Sequence, residues 1–509
     1  MKKDVIIVGG GIAGLSAGCY LQMNGYNTAI FEMHDKPGGL CTAWERKGYT
    51  IDGCLHWLVG SAPGNGFHRF WLELGMLQGG TIIDLDEFYR YEAPDGRQVI
   101  MYCNADQLEQ HLEEVSPEDG EYITRMANGI RRLAAIDMPI EKAPELQTFW
   151  NKAGTGLRLA PHLNALRTWT GMTVAQLAAR FKNQHIRDAL KFMPGEFSAM
   201  GFMMTMAWLH KKVAGYPIGG SMPLIRAVEK RYQSLGGEIF YQAKVTSVAV
   251  DADHANGVTL ADGTDHQGTT VVWAADGHTA AFDLFKGNYL DDTIRGYYRE
   301  MPIFTPLIFA AFGARRTFND VPKMVSGLII GLEKPVSIGG RTQRNLHVRF
   351  SNFDSTMAPE GKTVLSVMMD SDYQYWKELR KRPEDYKKAK EDVAEAIIRI
   401  LDRRFRGLKE LIEMTDIATP VTFERYTGNW RGYYEGFMPT PKSQLLTMKK
   451  TLPGLSNFYM IGQWVSPGGG LPSGVMTGRH ITQILCNRDG RRFTTSLPER
   501  EPVLQGAVK

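Results

Sequence analysis

Cysteine is scarce in this 509-residue chain, which contains five cysteines and no C-x-x-C pair. An odd number of irregularly spaced cysteines favours neither a disulfide framework nor a metal site, and it is typical of a reducing compartment. No run of 18 apolar residues occurs, so the sequence predicts no membrane-spanning helix. We therefore expect a cytoplasmic protein without a metal. Contact with a membrane surface through the basic residues Arg488, Arg491 and Arg492 stays open, and a C-terminal tail is predicted at 491–509.

Charge of one sign is not in excess either, because 59 lysines and arginines oppose 55 acidic residues and leave a net charge of +4. Such a balance over a whole chain favours no nucleic-acid partner. The sequence also lacks the motif H-E-x-x-H and shows no convincing nucleophile triad, so it predicts neither a zinc protease nor a serine hydrolase. A hydrophobic content of 43% indicates an ordinary folded protein, long enough for two or three domains.

A glycine-rich turn directly after a short apolar run is the most informative feature present. Residues Val5–Gly14 read V-I-I-V-G-G-G-I-A-G, and Gly9, Gly11 and Gly14 fit the pattern G-x-G-x-x-G. These glycines allow a tight turn, close approach of a pyrophosphate and close helix packing. The N–H groups of the following helix start would hold the phosphates, with Ile12 and Ala13 among the contacts. A signal peptide and a packing loop without a ligand are the alternatives.

The residues that follow favour a dinucleotide site over both alternatives. A second strand predicted at Asn27–Phe31 ends at Glu32, where a carboxylate can accept hydrogen bonds from a ribose. The pair Gly38 and Gly39 comes next, and it resembles the FAD-binding signature more than the NAD one. Residues 154–156 do not form a second dinucleotide-binding motif, because they lack a third glycine and a preceding strand. The sequence therefore predicts one dinucleotide site.

A second glycine-rich segment lies near the C-terminus. A predicted strand at Asn457–Gly462 precedes P-G-G-G-L-P-S-G, and a helix is expected from about Ser473 to Cys486. In a flavoprotein, this helix start would face the flavin ring and stabilise negative charge on it. A glycine-rich loop before a surface helix is the alternative. The cofactor contacts expected here are Gly462, Gly470, Ser473, Gly474 and Val475.

The middle of the chain supplies the remaining predictions from the residues themselves. A strand predicted over Glu238–Ala249 would present the backbone of Val245 to an adenine, where the nucleotide domain resumes. Asp84–Tyr102 is expected to form a β-hairpin around a Pro-Asp-Gly turn. The apolar segment Met193–His210 is too short to cross a bilayer, and it predicts a helix with one face in the core and another on an oily tunnel.

Taken together, these motifs resemble the family of phytoene desaturases, carotenoid isomerases and retinol saturases, within the amine-oxidase-like flavoproteins. The residues that carry the resemblance are the first glycine motif, Glu32, the two later glycine pairs Gly38-Gly39 and Gly219-Gly220, Asp52-Gly53, and the segment from Gly462 to Gly474. The fold it implies is α/β, with a discontinuous Rossmann-like FAD-binding domain of the amine-oxidase/glutathione-reductase type. An inserted α+β domain would hold the substrate.

The expected domain boundaries follow the same division. The FAD-binding domain would comprise 1–75, 215–290 and 455–490, and the substrate domain 76–214 and 291–454.

The resemblance implies FAD and redox chemistry at carbon–carbon bonds of a lipophilic polyene or isoprenoid, as desaturation, saturation or cis–trans isomerisation. The substrate would be a hydrophobic small molecule, and the electron partner stays open between a quinone, oxygen and a diffusible reductant. The catalytic candidates beside the flavin are His56, Trp57, Trp430, Tyr433 and Tyr434, with Trp464 nearby. Alternatively, His56 is a hydrogen-bonded core residue and the aromatic side chains only pack.

Two other functions are compatible with the same fold. A flavin amine oxidase would use an aromatic cage at the flavin ring, which the tryptophan and tyrosine candidates can provide. A non-enzymatic prenyl-lipid-binding protein would be expected to lose its flavin-binding residues. Glu32 and the C-terminal glycine segment are both present, which argues against that second function.

Overall fold

The computed structural model describes residues 2–444, 446 and 448–499. Its strands are β1 (Lys3–Val8), β2 (Thr28–Phe31), β3 (Ala43–Arg46), β4 (Tyr49–Asp52), β5 (Ile82–Ile83), β6 (Glu87–Glu92), β7 (Gln98–Tyr102), β8 (Tyr216–Pro217), β9 (Glu238–Phe240), β10 (Val245–Asp251), β11 (His254–Leu260), β12 (Asp265–Trp273), β13 (Leu307–Ala314), β14 (Met324–Ile338), β15 (Arg341–Phe350), β16 (Thr363–Asp370), β17 (Ile412–Ala418) and β18 (Phe458–Met460).

The α-helices are α1 (Ile12–Met23), α2 (Gly66–Glu73), α3 (Ala105–Val115), α4 (Gly120–Ala134), α5 (Phe149–Leu159), α6 (Leu163–Thr170), α7 (Val174–Ala178), α8 (Gln184–Leu190), α9 (Ala199–His210), α10 (Ser221–Ser234), α11 (Asp292–Glu300), α12 (Tyr373–Arg380), α13 (Pro383–Arg404), α14 (Pro420–Thr427) and α15 (Gly470–Arg488). In the part of the chain that the structure describes, no helix has both the length and the apolar character that a bilayer span requires.

The first sheet has seven strands in the order β10-β11-β12-β1-β2-β9, with β18 paired to β12. Its centre is parallel, because β1 pairs in parallel with β12 and β2, and β2 with β9. Val5, Ile6 and Ile7 of β1 are fully buried, as expected for a central strand covered on both faces. The unit β1-α1-β2 is the strand, glycine turn, helix and strand that the sequence predicts. The α/β fold class is confirmed.

The second sheet also has seven strands, in the order β17-β13-β16-β15-β14-β6-β7. Its strands are antiparallel except for the pair β14 and β6. The hairpin expected at Asp84–Tyr102 is present as β6 and β7. Buried side chains of α3, α4 and α9 pack in one core with β6 and β7, and those of α13 pack in another with β13 and β15.

The first sheet draws its strands from three separated parts of the chain, at 3–31, 238–273 and 458–460, whereas the second draws on 87–102, 307–370 and 412–418. The exact domain boundaries stay a prediction.

Two predicted elements differ from the structure in their limits. Helix α15 begins at Gly470 and not near Ser473, because Pro472 falls in the first turn, where a backbone N–H has no partner within the helix. The strand expected over Glu238–Ala249 is divided into β9 and β10, which pair with β2 and β11 respectively. Gln242 lies between them with a φ of 56°, a left-handed conformation that ends the first strand.

Helices α1 and α15, from opposite ends of the chain, pack against each other through small residues. A Cβ atom added at Gly478 would lie 2.4 Å from Ser16 Oγ and 2.7 Å from the backbone nitrogen of Ala17. The Ser16 hydroxyl donates a hydrogen bond to the carbonyl of Val475 at 3.1 Å. This backbone contact brings the N-terminal and C-terminal glycine segments into one place.

We therefore expect Gly478→Ala to lower the free energy of unfolding by about 1–3 kcal/mol, because the added methyl group meets backbone atoms that cannot move aside. The matched control is Gly154→Ala in the exposed part of α5, where an added Cβ has open space around it. That change should be neutral or stabilising by up to about 1 kcal/mol. Denaturant titration followed by tryptophan fluorescence measures both, and equal stabilities would contradict the close packing.

Candidate cofactor and substrate cavity

One large cavity of about 1,670 Å³ is lined by residues of both sheets and of both ends of the chain. Gly9 and Ile12 line it from the N-terminal segment, and Gly470 and Ser473 line it from the C-terminal segment. The same cavity extends to α9, where Met204 forms part of the wall. The two glycine segments and the apolar helix, predicted separately from the sequence, therefore meet in one space.

The turn between β1 and α1 is as tight as the fingerprint requires. Gly9 has a φ of 105°, and a Cβ atom at Gly14 would lie 2.0 Å from the carbonyl oxygen of Gly9. Gly14 therefore packs against the backbone of the turn on the side away from the cavity, whereas Gly11, Ile12 and Ala13 line the cavity. The free N–H groups of the first helical turn can hold an anionic group at this point.

The second glycine pair is joined to this turn. The N–H of Gly38 donates to the carbonyl of Gly10 at 3.0 Å, and Gly38 forms an isolated β-bridge with Gly11. Gly38 has a φ of 121°, and a Cβ there would lie 2.3 Å from the carbonyl oxygen of Cys41. Both Gly38 and Gly39 line the cavity. The two motifs form one continuous backbone cradle.

Glu32 lies at the end of β2 and lines the same cavity. Its Oε2 accepts a hydrogen bond from the N–H of Gly10 at 2.6 Å, and its Oε1 accepts one from the N–H of His34 at 2.8 Å. These bonds fix the carboxylate although only 6% of the residue is exposed. A carboxylate has about four acceptor positions, so two remain for the hydroxyl groups of a ribose.

Val245 lies at the start of β10 and lines the cavity next to Ala243 and Lys244. The N–H of Ala243 donates to the carbonyl of Glu32 at 2.8 Å, which ties this segment to the end of β2. The structure thus brings the residue expected at the adenine beside the residue expected at its ribose.

The C-terminal segment closes the cradle from the other side. Gly462, Gly470, Ser473 and Gly474 line the cavity, whereas Val475 is fully buried in the core between the helices. The consecutive glycines 468, 469 and 470 all have positive φ, so the chain can turn sharply into α15. The N-terminus of this helix carries unpaired N–H groups and a positive dipole end, which favour negative charge in the cavity.

His56 and Trp57 also line the cavity. The His56 Nδ1 atom lies 3.3 Å from the hydroxyl oxygen of Ser326. Burial, with Arg349 and His347 nearby, lowers the pKa of His56 well below its usual value. Burial likewise lowers the pKa of His347, a second wall residue, to about 4. Both imidazoles are therefore neutral at pH 7. No sequence motif indicates His347, which reaches the wall from β15.

The aromatic candidates divide into two groups. Tyr434 and Trp464 line the cavity, but Trp430 and Tyr433 lie outside its wall. The Trp430 ring stacks on His278 with 3.9 Å between centroids. The backbone N–H of Trp430 donates to the buried carboxylate of Asp276 at 3.0 Å. This anchor holds Trp430 and Tyr433 in packing positions, as one alternative from the sequence allowed.

Glu435, which the sequence analysis did not single out, follows Tyr434 and lines the cavity. Burial alone raises the pKa of its carboxyl group to about 8. A single acidic residue within an aromatic segment does not form a sequence motif. Its place in the cavity wall is therefore seen from the three-dimensional structure and not from the sequence.

An apolar branch forms the rest of the cavity wall. On α9, Met200, Phe202, Met204 and Trp208 line it, whereas Met203 and Met206 are fully buried in the core. The helix thus has one face in the core and one on the cavity, as predicted. Further apolar residues of this branch are Phe88, Phe192, Phe197, Phe304, Phe309, Ile329 and Met368. Thioether and aromatic side chains of this kind suit a long, irregular, apolar ligand.

We expect Glu32→Gln to lower the content of bound dinucleotide, because the amide cannot accept hydrogen bonds at both of its terminal atoms. The measurement is the amount of nucleotide released per protein on denaturation. Glu238→Gln is the control, since Glu238 pairs with Lys3 at the surface of the same sheet. Equal nucleotide content in the two variants and the unmodified protein would show that Glu32 does not bind the ribose.

Known proteins resemble this chain over nearly its whole length. It is 26% identical to a prolycopene isomerase of Daucus carota, over all of this chain and 83% of that protein. It is also 26% identical to a lycopene-forming phytoene desaturase of a Paracoccus species, over 95% of this chain and 97% of that protein. Among solved structures, a putrescine oxidase variant matches with a TM-score of 0.62 at 15% identity, covering 96% of this chain and 99% of that one.

The profile of the family described as flavin containing amine oxidoreductase matches residues 12–485. Its span includes most of the backbone cradle and the C-terminal glycine segment, whose geometry fits an extended dinucleotide. The chain therefore belongs to the flavin-containing amine oxidoreductase family and is an FAD-dependent oxidoreductase.

Proposed function

We propose that this enzyme acts on carbon–carbon bonds of a long, apolar polyene or isoprenoid. The single observation that carries the proposal is the continuity of the cavity, which joins the dinucleotide cradle to the apolar branch. The relatives named prolycopene isomerase and phytoene desaturase support the same substrate class.

The residues of the cradle fit FAD in its two halves. Glu32 would hold the adenosine ribose, and the N-terminus of α1 with Gly38 and Gly39 would hold the pyrophosphate. The N-terminus of α15 would face the ring system. When bound, FAD supplies a two-electron acceptor or donor for chemistry at carbon. The apolar branch would orient the substrate and exclude water from the reacting bond.

The geometry changes the amine oxidase alternative in one respect. Of the aromatic candidates for a cage, Trp57, Tyr434 and Trp464 line the cavity, whereas Trp430 and Tyr433 lie outside its wall. The match to a putrescine oxidase at 15% identity shows the fold alone.

We expect the purified protein to be yellow because it contains bound FAD. It should convert prolycopene or phytoene under anaerobic conditions, which are tested in one series with oxidised flavin and in another with reduced flavin. Product analysis by chromatography measures the conversion, and putrescine and benzylamine serve as the amine series. Release of hydrogen peroxide from the amines without any change in the polyenes would contradict the proposal and favour an amine oxidase.

We also propose that the enzyme takes its substrate from a membrane surface through the docking helices, defined as α5 and α6. Four large apolar side chains on them are exposed, namely Phe149 (75%), Trp150 (80%), Leu157 (77%) and Leu163 (51%). Soluble surfaces rarely expose so many large apolar groups together, and such patches often mark interaction sites.

Charge and position support a lipid surface as the partner. Residues 147–171 include Lys152, Arg158 and Arg167 but no acidic residue, a composition that suits anionic headgroups. Leu159 and Leu166 of the same helices line the cavity, so a lipophilic molecule would have a short path from the bilayer.

The basic tail, considered for this contact in the sequence analysis, is partly engaged elsewhere. Arg491 donates to the carbonyls of Asn24 and Gly25, and Arg488 pairs with Asp489. Residues 500–509 of the predicted tail lie outside the described residues.

We expect the double change Phe149→Ser and Trp150→Ser to weaken binding to vesicles of phosphatidylglycerol and phosphatidylcholine by about tenfold or more, since two large apolar groups no longer enter the bilayer. Co-sedimentation measures the bound fraction. The matched control is Tyr375→Ser with Leu497→Ser, which removes two other exposed apolar side chains. Equal loss of binding in both double variants would contradict a specific role of the docking helices.

A further inference from the structure

Glu435 presents an acidic group to the cavity without a partner in the protein. Its side chain lines the wall, and among the residues that the structure describes no side chain or backbone group forms a hydrogen bond or ion pair with its carboxyl group. By contrast, the carboxylate of Glu32 in the same cavity accepts two backbone hydrogen bonds. A carboxyl group left free in this way is available to a bound molecule.

The backbone that follows Glu435 is held by two other segments of the chain. Phe437 forms an isolated β-bridge with Ile303, and its carbonyl accepts a hydrogen bond from the N–H of Gly468 at 2.9 Å. The side chain of Glu435 lies across Gly469, where an added Cβ would be 3.2 Å from its Cδ atom. Glu435 is therefore held beside the glycines that precede α15, where the ring system of the cofactor is expected.

The groups around Glu435 are uncharged at neutral pH. The titratable side chains whose charges interact with it are Tyr434 and Cys54. Burial raises the pKa of Tyr434, and a hydrogen bond with Cys41, together with burial, raises the pKa of Cys54. Cys41 contacts Cys54 and lines the same wall. No lysine or arginine among the described residues pairs with Glu435, so no cationic side chain compensates for the loss of water around a carboxylate.

The chemical state of Glu435 follows from this environment. Burial disfavours the charged form, and the raised pKa of about 8 keeps most of the carboxyl groups protonated at pH 7. A neutral carboxylic acid can donate a proton. The neutral histidines His56 and His347 and the Cys54 thiol, whose pKa is raised, supply a proton less readily at this pH.

We propose that Glu435 is the proton donor to a double-bond carbon of the substrate in this cavity. The inference rests on the proposed function and adds to it the residue that moves the proton.

The step balances for reduction of a carbon–carbon double bond. The π bond would break, one carbon would take the carboxyl proton of Glu435, and the neighbouring carbon would take a hydride, which a bound reduced flavin would supply. Two C–H bonds would form, and Glu435 would become a carboxylate that solvent later protonates. In the reverse direction the carboxylate would accept the proton, so the acid form present at pH 7 is the form from which the reductive step starts.

The first experiment reads the protonation state directly. Infrared spectra of the purified holoenzyme without substrate should show the carbonyl stretch of a protonated carboxyl group at pH 7, which disappears as the pH rises through about 8. The band should be absent in Glu435→Gln and present in Asp370→Asn, which removes another carboxyl group of the same wall. A band missing from the unmodified protein at pH 7 would overturn the proposal.

The second experiment follows the reaction with prolycopene as the probe and dithionite as the reductant of the flavin. Glu435→Gln should keep its FAD but lose about 100-fold or more in single-turnover rate, and Glu435→Asp should recover part of it. The rate of the unmodified enzyme should fall as the pH rises through about 8, because the donor form is lost. Turnover by Glu435→Gln at the unmodified rate would overturn the inference.

The two proposals fail in distinguishable ways. If no enzyme form converts prolycopene or phytoene, the proposed substrate class is wrong. The infrared result then still decides whether Glu435 is an acid at neutral pH, and an ionised carboxylate would overturn its role as donor.

Discussion

Close contact between the backbones of α1 and α15 is the constraint on which the site depends. Gly474 and Gly478 leave no room for a side chain against Ile12 and Ala17, so the helices approach at the distance of backbone packing. Because both helices begin in glycine turns, this contact places two sets of free N–H groups on one cavity. Segments from both ends of the chain, more than 450 residues apart, therefore line the same cavity.

The cavity combines two environments that act together. The cradle offers backbone donors and a fixed carboxylate for a charged dinucleotide, whereas the apolar branch offers thioether and aromatic surfaces. Burial then sets the protonation of the polar groups that face the apolar branch. It keeps His56 and His347 neutral and holds Glu435 in its acid form near pH 7. The low polarity that suits an oily substrate also determines which residue can donate a proton.

Sequence patterns predict those parts of the site that local geometry determines. The turn from β1 to α1, Glu32 at the end of β2 and the hairpin of β6 and β7 all follow from short motifs, because neighbours in sequence make the decisive contacts. The aromatic segment does not follow from a motif, because the hydrogen bond from Trp430 to Asp276 decides which side chains reach the cavity. For the same reason, the sequence identified Tyr434 but not Glu435 or His347, whose positions depend on contacts between distant strands.

We infer that a bound flavin and an apolar ligand share one cavity between the ends of the chain. The decisive experiment is a titration of the purified flavoprotein with phytoene, followed in the visible absorption band of the flavin, since phytoene itself absorbs in the ultraviolet. We expect a spectral change that saturates at one phytoene per flavin. A flavin spectrum that phytoene leaves unchanged at every concentration would contradict it.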